Sequence, residues 1–389
     1  MISLCKYEDC TGCGACYNAC PKDAISMKEV ENGFLHPVID HDKCIECKLC
    51  IKSCPVLTPV AKYPAVEAPI ACICKDEAVL TKSSSGGMFS VIADYVLEKG
   101  GVVFGAVMGE NGYVHHAMAT NHSKLAPMRG SKYVQCDTQK TYSEVKQHLK
   151  AGKTVLYTGT PCQITGLRAY LGKTDTANLL CVDIVCHGVP ANKMFRTYLQ
   201  KLSQKKGFSL NDVKEIRFRN YEKWGGFYLL LLLLLDGTTI LCEKEDNVYL
   251  SLFLHSYIYR ENCYHCQYAT HERISDITIA DFWSIGKKSE FRYDTSRGCS
   301  LILPNSEKGK QVFEAVKDRI NYEPRTWEEA DLTNHQLYRP AFQPKQRLKA
   351  IRAIYNNSLT ETYNCIYNTP YIRCRRFAGS ILRKIGLKK

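Results

Sequence analysis

Eight cysteines near the start carry the clearest chemistry in this chain of 389 residues. They read C-x2-C-x2-C-x3-C-P twice, as Cys10, Cys13, Cys16 and Cys20 before Pro21, then Cys44, Cys47, Cys50 and Cys54 before Pro55. Two-residue gaps let one short loop wrap three thiolates around a corner of a cubane, and the fourth cysteine of each run reaches the other cluster. The spacing therefore predicts two 4Fe-4S clusters with crossed ligands. One takes Cys10, Cys13, Cys16 and Cys54, the other Cys44, Cys47, Cys50 and Cys20. A zinc site would use four cysteines in two pairs, and a disulfide framework belongs to small secreted chains.

Four further cysteines stand out by position. Cys162 follows a predicted strand in T-G-T-P-C-Q, Cys186 ends another in C-H-G-V-P, and Cys263 and Cys266 form a C-x2-C pair in a polar loop. The ends of adjacent parallel strands lie at one edge of a sheet, where open α/β sheets bind ligands. The four either meet around a third metal centre or, for Cys162 and Cys186, are the small buried hydrophobes that cysteine commonly is. The run S-S-S-G-G-M-F-S, with Ser84, Ser85, Gly86 and Gly87, sets small residues ahead of a helix. Its backbone N–H groups could hold an anionic or carbonyl group of a cofactor, or it is a solvated loop with a serine cap. Gly130, Ser131, Lys132 and Tyr133 offer a cation and a ring beside a glycine turn, a pattern that a surface turn also gives. His187 and Asp281 follow strands, where either a functional or a hydrogen-bonding role fits.

These groups need a scaffold, and the pattern supplies one. Residues 1–58 read as a ferredoxin-like module with two short strands, 24–28 and 34–39, around the turn Glu31-Asn32-Gly33. Such modules fold around their clusters more than around a core. Residues 59–69, with three prolines, read as a linker. From residue 70 strands and helices alternate, which predicts a parallel sheet covered by helices. Strands are expected at 70–74, 102–108, 113–119, 154–158 and 179–186, with helices at 88–99, 142–149, 163–171 and 192–204. Later strands look antiparallel: 229–235, with seven leucines, turns through Asp236-Gly237 into 238–242, and 276–280 and 300–304 follow. The fold class is thus α+β or α/β, with a mixed-sheet domain over 70–325. Residues 326–389 form a helical, basic extension.

Composition narrows the context. Hydrophobic residues make up 45% and charged residues 23%, as in ordinary globular proteins. There are 21 cysteines, and an oxidising compartment would destroy or mispair cluster ligands, so cytoplasm is expected and disulfides are not. The longest apolar run is about half of a membrane span. Formal charge is +13, but each oxidised cluster with its thiolates carries about −2, and the basic residues form no recognisable nucleic-acid reading motif. Seven basic residues and no acidic one fall in 371–389. They form a solvated tail or one that meets an acidic partner or an anionic membrane surface.

Taken together, S-S-S-G-G-M-F-S at 83–90, R-G-S-K-Y-V-Q at 129–135, T-G-T-P-C-Q at 158–163, V-D-I-V-C-H-G-V-P at 182–190, C-Y-H-C at 263–266, S-D-I-T-I-A-D-F-W at 275–283 and R-G-C-S-L-I-L at 297–303 closely resemble the family of beta subunits of coenzyme F(420) hydrogenases and dehydrogenases. The resemblance spans about residues 5–305 and extends to the reductases of chlorophyll metabolism that share this flavin domain. It implies a bound FAD near Ser84–Gly87 and Gly130–Tyr133, and a further 4Fe-4S cluster on Cys162, Cys186, Cys263 and Cys266. The activity implied is an iron–sulfur flavoprotein oxidoreductase linking one-electron carriers, such as ferredoxin, to a two-electron substrate that in some members is a deazaflavin. The alternative is a non-catalytic electron-transfer subunit that docks onto a catalytic partner.

Overall fold

A computed structural model describes residues 2–219 and 229–367. The basic tail at 371–389 and part of the segment before the leucine run lie outside the described residues. Strands β1 (Ile25–Glu29) and β2 (Leu35–Ile39) form the expected antiparallel hairpin between the two cysteine runs. From residue 70 the chain builds β3 (Ile70–Cys74), β4 (Val102–Met108), β5 (Val114–Ala119), β6 (Val155–Gly159) and β7 (Leu179–Ile184). After these come β8 (Val213–Arg217), β9 (Leu231–Leu234), β10 (Thr239–Leu241), β11 (Ile277–Asp281), β12 (Ser300–Pro304) and β13 (Ile320–Pro324).

One sheet of eight strands runs β13-β3-β12-β11-β7-β6-β4-β5. Its centre, β4-β6-β7-β11, is parallel, because each connection there crosses over. The flanks are antiparallel. Alternate residues of the central strands feed opposite cores, as the pleat requires. Leu156, Leu180 and Val182 meet the helix Met88–Glu98 through Met88, Val91 and Ile92 on one face. Val155, Tyr157, Leu179 and Cys181 meet Tyr142, Val145, Ile164 and Leu167 on the other.

The leucine run becomes the middle strand of a separate sheet, β10-β9-β8. Leu232 is fully buried while Leu235, past the strand end, is 67% exposed. That sheet packs with the helix Asn192–Lys206 and the C-terminal helices Arg347–Asn356 and Leu359–Tyr367 around a third core. Lys201 Nζ donates to the carbonyls of Ile354, Tyr355 and Asn357 at 2.7, 2.9 and 2.6 Å, capping a helix end whose carbonyls lack partners of their own. The segment 59–69 is tied down: Tyr63 and Arg273 exchange backbone hydrogen bonds at 2.6 and 3.1 Å, and Trp327 Nε1 donates to the Val66 carbonyl at 3.1 Å. Among the described residues no helix is long and apolar enough to cross a membrane.

Candidate functional site

The two cysteine runs fold alike but meet different surroundings. Gly12 and Gly14 take left-handed backbone angles, φ 66° and 77°, and so do their counterparts Glu46 and Lys48, φ 53° and 60°. The second loop can carry side chains because it is open to solvent. Cys47 is exposed, and Ile45 and Leu49 are 58% and 41% exposed. The first loop is docked on the α/β domain and cannot. A Cβ at Gly14 would sit 2.5 Å from Thr138 Oγ1, and one at Gly12 2.8 Å from Arg260 Nη1. Thr138 Oγ1 donates to the Cys13 carbonyl at 3.0 Å, and Gln135 Nε2 to that of Thr11 at 3.1 Å.

Within the module the thiols gather in two groups. Burial pushes the Cys16 thiol up, and the charge of Cys13, Cys10 and Cys54 adds to it. Cys20, Cys44, Cys47 and Cys50 line one small cavity, closed by Ile25 and Ile39 of the hairpin. The fourth cysteine of each run thus stands with the other run's three. Cys5 lies close to Cys10 and Cys54, and its thiol favours their thiolates. Nothing in the spacing marked it.

A third group lies in the α/β domain. Cys162 sits in the first turn of the helix Pro161–Leu171, which a Thr160–Gln163 capping box starts directly after β6. Cys186 follows β7, and Cys263 and Cys266 lie in the loop ahead of β11. Cys186 feels Cys263, Cys162 and Cys266. Burial and neighbouring thiols of the same group push Cys162 and Cys263 up to about 12. The first group adjoins the third: a Cβ on Gly166, one turn after Cys162, would meet Cys13 Sγ at 2.9 Å. Among the described residues no three His, Cys, Asp or Glu side chains converge at single-ion distance. A cubane, in contrast, keeps its four sulfur ligands well apart.

At the ends of β6, β7 and β11 opens a cavity of about 340 Å³. Ser84, Ser85, Gly87, Gly130, Ser131, Lys132 and Tyr133 all line it, as do Cys186, His187 and Asp281. Gly86 does not. It packs on the sheet, where a Cβ would lie 2.3 Å from the Cys72 carbonyl oxygen. Gly87, φ 85°, starts the helix Met88–Glu98 without a side-chain cap, and the first turn, Met88, Phe89 and Ser90, lines the cavity. Ser84 Oγ accepts from the Ser131 N–H at 2.7 Å and so ties the two predicted loops together. Lys132 Nζ donates to the carbonyls of Pro127, Arg129 and Gly130 at 2.8, 2.9 and 3.2 Å, so its ammonium staples the loop. Burial lowers its pKa to about 7, but three carbonyl acceptors favour the charged form.

Other lining residues were not singled out individually in the sequence. Ile184, Leu254 and Trp283 are 43%, 41% and 38% exposed and give the cavity an apolar wall. Asp281 takes a 2.6 Å hydrogen bond from Arg219, whose guanidinium lies 4.6 Å from the Trp283 ring centre. His116 Nε2 is 2.8 Å from the Thr158 carbonyl, which only accepts, so the proton is on Nε2. Its Nδ1 therefore accepts from Cys136 Sγ at 3.0 Å.

Burial lowers the His116 pKa to about 4. The unfolded chain binds this proton first, so stability is complete above the ordinary histidine pKa and falls as pH drops toward the folded value. Between about pH 7 and about pH 5 the wild type should lose about 2 kcal/mol more than His116→Gln, read by anaerobic urea unfolding. Equal losses would contradict a neutral buried His116.

Sequence comparison places both parts of the chain. Residues 9–57 match the 4Fe-4S dicluster domain. A ferredoxin-type module joined to an α/β domain defines an iron–sulfur electron-transfer protein of the oxidoreductase kind. Residues 70–142 and 152–329 match the N- and C-terminal parts of the coenzyme F(420) hydrogenase/dehydrogenase beta subunit. The chain belongs to that family. An F(420)H(2) dehydrogenase subunit of Methanosarcina mazei is 20% identical over 347 residues, 82% of this chain and 86% of that protein. An uncharacterized ferredoxin of Methanocaldococcus jannaschii is 42% identical over 48 residues, 12% of this chain and 61% of the ferredoxin. A chain of the F(420)-reducing [NiFe] hydrogenase complex from Methanosarcina barkeri superposes with a TM-score of 0.47 at 18% identity, covering 78% of this chain and 92% of that one.

Proposed function

We propose that the protein is an iron–sulfur flavoprotein oxidoreductase with three 4Fe-4S centres and one FAD. The observation that carries the reading is the order of the cysteine groups. The Cys44 group is at the surface, the Cys10 group at the domain junction, and the Cys162 group behind it, with Cys186 in the cavity wall. Clusters exchange single electrons and a flavin exchanges one or two, which is the chemistry needed between a one-electron carrier and a hydride-exchanging substrate.

The chain's own residues fit a flavin. Ile184, Leu254 and Trp283 offer apolar surface to a planar ring. A second cavity of about 310 Å³ shares the Ser83–Ser84 and Arg129–Lys132 wall and adds Lys82, Arg219 and Arg217, the last paired with Glu215, so that the lining keeps a net positive charge suited to a dinucleotide's phosphates. Arg219 holds Asp281 in place at the cavity edge. On the likeness to the F(420)H(2) dehydrogenase protein, the two-electron partner is a deazaflavin. Exposed Ile45 and Leu49 around Cys47 would seat a redox protein. The test is anaerobic reconstitution, quantitation of iron and acid-extracted flavin, and a screen of hydride donors and acceptors. Protein without flavin, or without turnover of any organic substrate unless another protein is added, would leave the docking electron-transfer role as the reading.

A further inference from the structure

Arg260 is one of the largest fully buried side chains in the protein, 1% exposed. Buried arginines normally pair with a carboxylate, since desolvating the charge alone costs on the order of several kcal/mol. Others here do: Arg273 with Asp183 at 3.2 Å, Arg325 with Glu329 at 2.7 Å and Arg347 with Glu261 at 2.7 Å. Arg260 donates from Nε to the Cys10 carbonyl at 2.7 Å, and from Nη1 to the Leu35 carbonyl at 3.0 Å and to Gln135 Oε1 at 3.3 Å. Its Nη2 lies 2.7 Å from His36 Nε2. Guanidinium cannot accept, so Nε2 accepts and that ring is neutral. Among the described residues none of these bonds reaches a carboxylate.

The counter-charge must come from elsewhere, and Arg260 is joined to the backbone of a cysteine from each of two groups. It holds the carbonyl of Cys10, and its own carbonyl accepts from the Cys263 N–H at 3.0 Å. It occupies the space that Gly12 leaves between Cys10 and Cys13. Its charge reaches the sulfurs of Cys10, Cys162 and Cys263.

We propose that Arg260 is the shared counter-cation of the Cys10 group and the Cys162 group, a positioning residue that raises the reduction potential of both centres and leaves the Cys44 centre unaffected. The inference rests on the reading that both groups hold clusters. Reduction adds one negative charge, which a fixed cation in a low-dielectric junction stabilises. The Cys44 group lies at the solvent-exposed end of the module, where water screens that charge.

The test uses full-length, anaerobically reconstituted protein, iron quantitation and potentiometric titration followed by electron paramagnetic resonance. In Arg260→Gln, two of three centres should become harder to reduce by at least about tenfold, which is about 59 mV for a one-electron couple. The third should not move, and Arg260→Lys should return both toward wild type. No shift, an equal shift of all three, or a Lys variant as displaced as Gln would overturn the proposal. If Arg260→Gln does not retain iron, the Lys variant decides: wild-type iron and potentials support a charge role, and equal depletion refutes it. Wild-type protein with about eight irons would instead sink the three-centre reading, whereas about twelve irons with unmoved potentials would sink the role of Arg260 alone.

Discussion

On the three-centre reading, reconstituted Cys263→Ala protein should hold about eight irons against about twelve expected for the wild type, and the missing four should take one spectroscopic centre with them. The reason is the crowding of the third group. Burial and mutual repulsion hold Cys162 and Cys263 up at about 12 and raise Cys186, and burial raises Cys266. Four such sulfurs become thiolates together only when a cationic core sits among them. Removing one ligand leaves three corners held and one open, which oxidation then exploits. The scaffold should tolerate the change: alanine is smaller by one sulfur, and the loop is fixed independently by Arg273, which donates to the carbonyls of Tyr268 and Thr270 at 3.1 and 3.4 Å. Circular dichroism of the folded protein should therefore resemble that of wild type while iron falls and urea unfolding shifts to lower urea by the lost cluster's contribution. Unchanged iron in Cys263→Ala would refute a cluster on these four cysteines.

The cysteine runs were legible because a cluster fixes spacing in sequence, and the central strands because their apolar runs are buried on both faces. The hairpin β1–β2 and the strand β12 fall within a residue of where periodicity put them. What sequence did not show follows from edges and tertiary neighbours. V-K-E-I-R at β8 is mostly polar because its strand is an edge of the small sheet. I-N-Y-E-P at β13 contains a proline, which an edge strand tolerates and a central one does not. The position of β3 between β12 and β13 is a long-range pairing with no local signature. Arg260 belongs to the same class. In R-E-N-C-Y-H-C it reads as a surface cation, and only the docking of the first cysteine loop buries it.

That docking also explains why the two runs differ. Both need left-handed backbone at the same two positions, yet only the first uses glycine there. Cluster geometry alone would accept Glu46 and Lys48 in either run. The glycines of C-T-G-C-G-A-C therefore record a neighbouring surface, supplied by Thr138 and Arg260. A glycine difference between otherwise equivalent loops is thus a sequence signal for which cluster loop faces the rest of the protein.

If the cavity holds the proposed flavin, Ile184→Glu should empty it while leaving the fold intact. Ile184 ends β7, pairs with Ile279 of β11, and is 43% exposed in the cavity wall. A substitution at so exposed a position should change unfolding stability by no more than about 0.5 kcal/mol. For a planar apolar ligand the result is different, because a carboxylate must be desolvated against it or the ligand displaced. A penalty of about 3 kcal/mol corresponds to about a hundredfold weaker binding. Ile184→Val, which keeps the wall apolar, should retain flavin and serves as the control. Iron content separates this effect from damage to nearby Cys186: loss of flavin with about twelve irons retained fits a ligand wall. Stoichiometric flavin in Ile184→Glu would place the flavin elsewhere.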